Sequence, residues 1–400
     1  MLKMMPDMLS GVRVLDMSRV IAGPYTGMML ADMGADVVKL EVPQHGDDSR
    51  YYPPFLNGEA MLYQQFNRNK KSITINLKSE EGIALFKRLI PKFDILIENF
   101  RPGVMDKMGI GYEVLEKLNP TLVYGCVSGF GQTGPYAQRP GYDIIGEAMG
   151  GLMSTTGWPD GEPTRTGPAM ADVLGGLNLA IGILGAYIKR LSSGHGDKVD
   201  IALVDSVIAS LDVLPQHYFV DGKNPGRNGN VYECAYPYDS FKAKDASFII
   251  AAGNDKLFHI VLDTIGRPDL KCDERYQTNA LRVENRVSLK KSIEAWSAQI
   301  TAEDAVNALL NGGCPASLIY DVEHMAKDPH ITGHRKMFVE VEGAQAGAMH
   351  LTGSVFKFTH GDAGIYRPAP QLGEDTGAVL KAYLQCTDTD IQKWQKEAII

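Results

Sequence analysis

The sequence predicts an α/β protein: a doubly wound, Rossmann-like large domain on a parallel sheet, and a second, smaller α+β domain. Three observations carry this. Strand-type and helix-type runs alternate over the first third of the chain. Those strands are almost continuously apolar, as strands covered on both faces are. After the Gly-, Asn- and Pro-rich stretch from Asp221 to Asn230, the alternation gives way to hairpin and helix signals.

Gly11–Met17 is a short β-rich run. Gly23–Gly34 spaces its apolar residues like a helix and ends on a glycine, the residue best suited to the turn after a helix C-terminus. Ala35–Glu41 and Ser72–Leu77 read as strands, and Ser79 stands where a side-chain oxygen caps the next helix. Asp94–Phe100 and Thr121–Gly129 are strands separated by a helical segment, Tyr112–Asn119. From Tyr142 to about Leu191 the spacing is helical, apart from the loop Gly157–Pro168. The most apolar stretch, Val173–Ile188, is shorter than a bilayer-spanning helix and predicts a buried helix in a tight interior. Lys198–Leu203 is a strand, followed by a helix to about Val220. In the smaller domain, Phe241–Gly253 reads as a hairpin, and Asn254–Ile265, Asn285–Gln299 and Ala302–Leu310 as helices. Met337–Gly343 and Ala348–Gly353 are strands, and Gly373–Leu384 is a last helix. The expected boundaries are 1–222 for the N-terminal part of the large domain, 223–325 for the small domain, and 326–400 for a C-terminal segment.

Composition narrows the function. The 400 residues carry a formal charge of −8, with no basic excess for a nucleic-acid backbone. Cys126, Cys234, Cys272, Cys314 and Cys386 form no CxxC pair, which argues against a disulfide framework or thiolate metal site. With no signal-peptide pattern at the start, a reduced, cytoplasmic protein is expected, with neither nucleic acid nor membrane as partner.

Several motifs are weaker than they look. Gly129-Phe-Gly-Gln-Thr-Gly134 matches GxGxxG, but Pro135 follows at once where a dinucleotide site needs a helix to open. A strand-end loop that lets a ligand approach is the better reading. His45-Gly-Asp-Asp48 has nothing at ligand spacing to complete a metal set and reads as a polar loop; no metal is expected. Neither a G-x-S-x-G elbow nor a Walker lysine is present. The informative segment is Arg165–Gly176. Asp172 stands at a helix start, in the position of an N-cap, followed by Gly175 and Gly176, which let a backbone or ligand come close. The positive end of the helix dipole is expected to keep this carboxylate ionised. An ionised, fixed carboxylate is a competent nucleophile toward an acyl group.

At these residues the chain resembles a known family. The run GVRVLDMSRVIAGPYTGMMLADMGADVVKLE, then NRNKKSITINLK, ENFRPGVMDKMG, the SGFGQTGPYAQRPGYD block and ADVLGG are similar to family III CoA-transferases, which include the acetyl-CoA:oxalate, formyl-CoA:oxalate and carnitine enzymes. YPYDSFKAKD, GNDKLF and APQLGEDT continue the pattern over essentially the whole chain. The resemblance implies a large domain built from both chain ends, a small domain, and two chains interlocked like linked rings in a homodimer. It implies coenzyme A or acyl-CoA as substrate, with no permanently bound cofactor, and a small carboxylic acid such as oxalate as acceptor. It makes Asp172 the nucleophile, passing through an aspartyl-CoA thioester. Positions matching the CoA-binding segments are Ile21, Ala22, Asn76, Lys78, Asn99, Phe100, Arg101 and Lys107, with Arg139 among the cations that suit phosphates and Tyr142 beside the reacting carbonyl. Formyl-CoA enzymes carry glutamine where Ile21 stands and a glycine-rich loop after the linker; this chain has neither. Two rival readings are an α-methylacyl-CoA racemase of the same fold and a non-catalytic CoA-binding subunit. The racemases carry a His-Asp pair where this chain reads Tyr142-Asp143, and without the histidine two-base proton transfer lacks a partner.

Overall fold

The computed structural model describes residues 7–400. One parallel sheet contains β1 (Arg13–Asp16), β2 (Asp36–Glu41), β3 (Lys71–Thr74), β4 (Ile95–Glu98), β5 (Val123–Ser128) and β6 (Asp197–Ala202). The spatial order is β3-β2-β1-β4-β5-β6, every pair parallel. This is the doubly wound order, whose direction of winding reverses between β1 and β4.

Helices cover both faces. They are α1 (Ala22–Asp32), α2 (Glu80–Leu89), α3 (Tyr112–Leu118), α4 (Asp143–Met149), α5 (Met170–Ser193) and α6 (Leu203–Ala209), then, after α7 (Leu214–Asp221), which buries none of its residues, α8 (Thr376–Leu384) and α9 (Asp388–Lys396). Successive strand residues point to opposite faces. Val14, Val37, Ile97 and Val127 pack with Leu30 of α1 and Leu179 and Ile183 of α5. Leu15, Val38, Leu96 and Cys126 pack with α2, α3, α8 and α9. The chain end is tied to β3: Ser72 N donates to Asp375, Thr74 N to Thr376 Oγ1, and Asn76 N to Ile399 O. The Ser79 hydroxyl caps α2 by accepting from Gly82 N, and Gly34, at φ +97°, follows the end of α1.

The expected helix after β6 is two, α6 and α7, separated by Asp212 in the left-handed region. The expected deeply buried helix is α5, and it is longer and more exposed than its apolar stretch suggested. It runs for 24 residues, long and apolar enough by length and composition to cross a membrane. One face packs on α1, β5 and β6. The other leaves Ile181, Ile188 and Leu191 about two-thirds exposed, at 66%, 66% and 70%.

The chain divides into two compact units. The larger comprises residues up to Met153, Arg165–Lys223 and Pro329–Ile400. The smaller comprises Asn224–Asp328 and also Ser154–Thr164, a stretch that the expected boundaries assign to the large domain. The reason is local: Gly229 N donates to Gly157 O, Arg227 donates to Gly161 O, and Gly229 lies against the Trp158 ring, too close for any Cβ. Within this unit Tyr238–Lys242, Ser247–Ala251 and Ala316–Leu318 form an antiparallel sheet, the first two strands being the expected hairpin. Helices Asp255–Thr264, Arg286–Ser297 and Ala302–Gly312 cover it with Phe258, Leu289 and Leu309.

A set of buried charges lies under the turn between β1 and α1. Lys70 Nζ donates to Asp16 Oδ2 at 2.7 Å, to Pro24 O and to Asn67 Oδ1. Lys39 Nζ lies 2.8 Å from Asp47 Oδ2 and donates to Ser18 O. Burial opposes the Lys39 charge, but the carboxylates of Asp47, Asp16 and Glu41 outweigh it and raise its pKa. Burial likewise opposes ionisation of Asp47, yet Lys39 and the N–H groups of Ser49 and Val20 hold it well below the usual carboxylate range. Removing one partner of such a pair leaves an unpaired charge in the interior. Asp47→Ala should therefore cost about 3–5 kcal/mol in urea unfolding. Asp48→Ala, which loses the part-exposed contacts with Arg19 and His45, should cost under about 1 kcal/mol.

Candidate active site

In doubly wound sheets, ligands bind beyond the carboxyl ends of the strands, where the winding reverses. Between the loops after β1 and β4 a cavity of about 280 Å³ opens at that place. It brings together eight residues singled out from sequence: Ile21, Ala22, Asn99, Phe100, Arg101, Arg139, Tyr142 and Asp172. Three of the lining residues, Arg19, Arg101 and Arg139, are guanidinium cations, and Asp172 is the lone carboxylate; among the described residues, histidine, lysine and cysteine are absent from the lining.

Close helix packing draws this group into one place. A Cβ on Gly176 of α5 would stand 2.5 Å from Ala22 O, and Thr26 Oγ1 donates to Gly176 O at 2.8 Å. Gly176 thus admits the backbone of α1 rather than a ligand, and Gly175 makes room for the side chains of Leu203 and Val127. Val20, which also lines the cavity, has φ +67°, a left-handed conformation that a β-branched residue adopts only under constraint. The constraint is visible. Val20 N donates to Asp47, Arg19 N to Asn99 Oδ1, and Asn99 Nδ2 to Arg19 O. α1 starts just beyond, with no side-chain cap at Ile21. Its first amide groups favour negative charge at that point of the cavity.

Asp172 departs from its sequence-based description. It is not the N-cap: Ala169 is, without a capping side chain, and Asp172 is the third residue of α5. The cap comes from another helix, since Asp143 Oδ1 accepts from Ala171 N at 2.9 Å and from Asp172 N at 3.2 Å. The helix end that was expected to keep Asp172 ionised is therefore already met by a carboxylate. Burial first, and the Asp143 charge second, push the Asp172 carboxyl up to about 7. Asp143 is itself raised by burial, although the two N–H groups it accepts oppose this. A carboxylate of this basicity is a stronger nucleophile than an ordinary one and is still substantially ionised at neutral pH.

The remaining sequence-selected residues lie elsewhere. Asn76 and Lys78 line a second cavity of about 280 Å³, bounded by Leu40, Ile75, Val104 and Met108, which shares Arg19 and Phe100 with the first. Two adjoining cavities, one cationic and one largely apolar, suit a long ligand with charged and uncharged segments. Lys107 lines neither cavity; it is exposed at the end of the short helix Val104–Lys107. The GxGxxG segment is a strand-end loop: no helix opens on it, and Gly129 packs against Gly141, where a Cβ would lie 2.7 Å from Gly141 Cα. His45–Asp48 is more than a polar loop, because it contains the buried Asp47. Sequence reasoning missed Asp143, Arg19 and Glu98. Asp143 follows Tyr142 directly and was the nearest to discovery. Glu98 accepts from Phe100 N at 2.7 Å, and burial pushes its carboxyl up to about 7.

Comparison with known proteins agrees with this geometry. Residues 9–376 match the model of CoA-transferase family III. The chain is 38% identical to acetyl-CoA:oxalate CoA-transferase of Acetobacter aceti over 375 residues, 93% of this chain and 95% of the relative. It is 39% identical to succinate–glutarate CoA-transferase of Agrobacterium fabrum over 379 residues, 93% and 94% of the two chains. A crystal structure of a CAIB/BAIF family protein from Brucella suis superposes with a TM-score of 0.83 at 37% identity, covering 94% of this chain and all of that one. A helix-borne aspartate in an arginine-lined cleft at the switch point of a doubly wound sheet is thus set in a chain that belongs, over nearly its whole length, to the family III CoA-transferases.

Proposed function

We propose that the chain moves CoA from an acyl-CoA thioester to a short dicarboxylic acid, oxalate or one of similar size, through a covalent intermediate on Asp172. The observation that carries this is the lining of the first cavity: one carboxylate, of raised basicity, among three guanidinium groups. With histidine, lysine and cysteine missing from the described lining, Asp172 is the one strong nucleophile available, and a racemase's second base is lacking. The substrates follow from the relatives, whose names include oxalate, glutarate and mesaconate as acids and acetyl-CoA or succinyl-CoA as donors.

The Asp172 carboxylate attacks the thioester carbonyl, forming an acyl-aspartyl anhydride and expelling CoA thiolate. The thiolate attacks the aspartyl carbonyl, giving the aspartyl-CoA thioester and releasing the donor's carboxylate. The acceptor carboxylate then attacks that thioester, forming a new anhydride and freeing the thiolate. Attack of the thiolate on the acceptor's carbonyl yields the new acyl-CoA and restores Asp172. Each tetrahedral intermediate carries an oxyanion. The uncapped start of α1 and the three guanidinium groups make the cavity favourable to that charge.

We further propose a cytoplasmic homodimer. The exposed apolar faces of α5 (Ile181, Ile188, Leu191) and α7 (Tyr218, Phe219, Val220) are surfaces that a second copy would cover. Sedimentation should then return twice the chain mass of 43.7 kDa; a monomer at micromolar concentration would remove the dimer.

Two measurements test the chemistry. Incubation with acetyl-CoA or succinyl-CoA and then hydroxylamine should convert Asp172 to the hydroxamate, about 15 Da heavier, because an activated acyl group traps the amine. An unmodified peptide under turnover conditions would show that transfer bypasses the aspartate. The pH dependence follows from the raised carboxyl. The reactive form is the anion, so kcat/KM for acyl-CoA should fall tenfold per pH unit below about 7. Asp143→Asn removes the neighbouring charge but keeps an oxygen to accept the two N–H groups. The acidic limb should then move to lower pH, and an unmoved limb would show that Asp143 does not set it.

A further inference from the structure

Ser128 ends β5, and its hydroxyl is enclosed by protein yet makes no hydrogen bond with any described residue. The residue is 9% exposed, and what it exposes lines the cavity containing Asp172. A buried hydroxyl without a partner is costly, so buried polar groups are almost always satisfied. Three other buried side chains, Cys126, Ser206 and Thr26, follow that rule. Cys126, two residues earlier and on the same strand face, bonds across the sheet to Val199 O. Ser206 uses the carbonyl four residues back in its helix, as serines do there. Thr26 bonds to Gly176 O. Ser128 pairs in register with Ala202, whose side chain offers nothing to bond, and a strand provides no carbonyl one turn behind.

From this we infer that Ser128 is a substrate-contacting residue, whose hydroxyl donates to an oxygen of the acyl group that Asp172 exchanges. To reach a substrate in the cavity that the residue lines, Oγ would turn about χ1 to another staggered rotamer. The contact belongs to the acyl end of the substrate for two reasons. Ser128 shares its cavity with the reacting carboxylate, and not with the apolar cavity of Asn76 and Lys78. A neutral hydroxyl also serves a thioester or anhydride carbonyl equally well, while the guanidinium groups are suited to full negative charge. This inference rests on the proposed acyl exchange at Asp172 and adds a residue to it.

Ser128→Ala deletes the hydroxyl with minimal change of shape. The free variant should melt at the wild-type temperature or higher, since an unsatisfied group has been removed. Its affinity for CoA itself, measured by calorimetry, should be unchanged. Its kcat/KM with acetyl-CoA or succinyl-CoA as donor and oxalate as acceptor should fall about ten- to a hundredfold, the worth of one hydrogen bond to a charged oxygen. Unchanged turnover would overturn the assignment. So would a lowered melting temperature, which reveals a structural partner, or an equal loss of CoA affinity, which places the contact on the CoA body. The melting-temperature increments produced by acyl-CoA and by CoA give a readout independent of turnover. Wild type should gain more from acyl-CoA than from CoA, and Ser128→Ala should lose that difference; equal differences in both proteins overturn the contact. If instead wild type fails to form the hydroxamate, the covalent reading fails while this thermal comparison still decides the role of Ser128.

Discussion

Lys39 and Lys70 hold their charges in fully enclosed space beneath the turn after β1, where neither charge would be tolerated without Asp47 and Asp16 at 2.8 and 2.7 Å. The same two carboxylates bind the turn itself. Asp16 accepts from Ser18 N, and Asp47 accepts from Val20 N. A β-branched residue is thereby kept in a left-handed conformation, and the chain is turned sharply enough to start α1 at the cavity. Buried ion pairs add little net stability when compared with a well-packed apolar core, but they are unforgiving of misplacement. Their effect here is geometric, since the turn that forms one wall of the cleft has a single arrangement that satisfies them all.

The opposite wall depends on a different device. α5 and α1 approach until the backbone of Ala22 occupies the space that a side chain on Gly176 would fill. Packing this close sets Asp172 at one end of α5 facing the start of α1. Asp143 then does two things with one carboxylate. It satisfies the amide groups of Ala171 and Asp172, which fixes the first turn of α5, and it withholds from Asp172 the field that would make it an ordinary acid. Asp143 therefore acts on both the placing of Asp172 and, after burial, its raised basicity.

The two adjoining cavities differ in character. Their shared residues, Arg19 and Phe100, stand where a cationic chamber meets an apolar one. Arg139 is stacked on Tyr136, 3.5 Å from the ring centroid, which keeps the guanidinium plane in place. Charge is thus concentrated near Asp172 even though the chain as a whole is acidic.

Most of the fold was legible in the chain because its signals are local. Apolar runs such as Val123–Ser128, the Ser79 cap and Gly34 after α1 report on neighbours a few residues away, and the structure agrees with each. The sequence also singled out half of the cavity lining, Asp172 included, through its motifs. What it could not contain were relations between distant segments. Asp143 caps a helix whose first residues lie 28 and 29 positions later; burial first, and its charge second, reverse the pKa direction that a helix start alone predicts. Ser154–Thr164 joins the smaller unit through bonds to a segment some seventy residues away. Asp47 reads as part of a polar loop until the fold encloses it against Lys39, and Lys107 reads as a ligand contact until the fold leaves it outside both cavities. Burial and long-range charge are properties of the assembled chain, and they turn a recognisable aspartate into one of raised basicity.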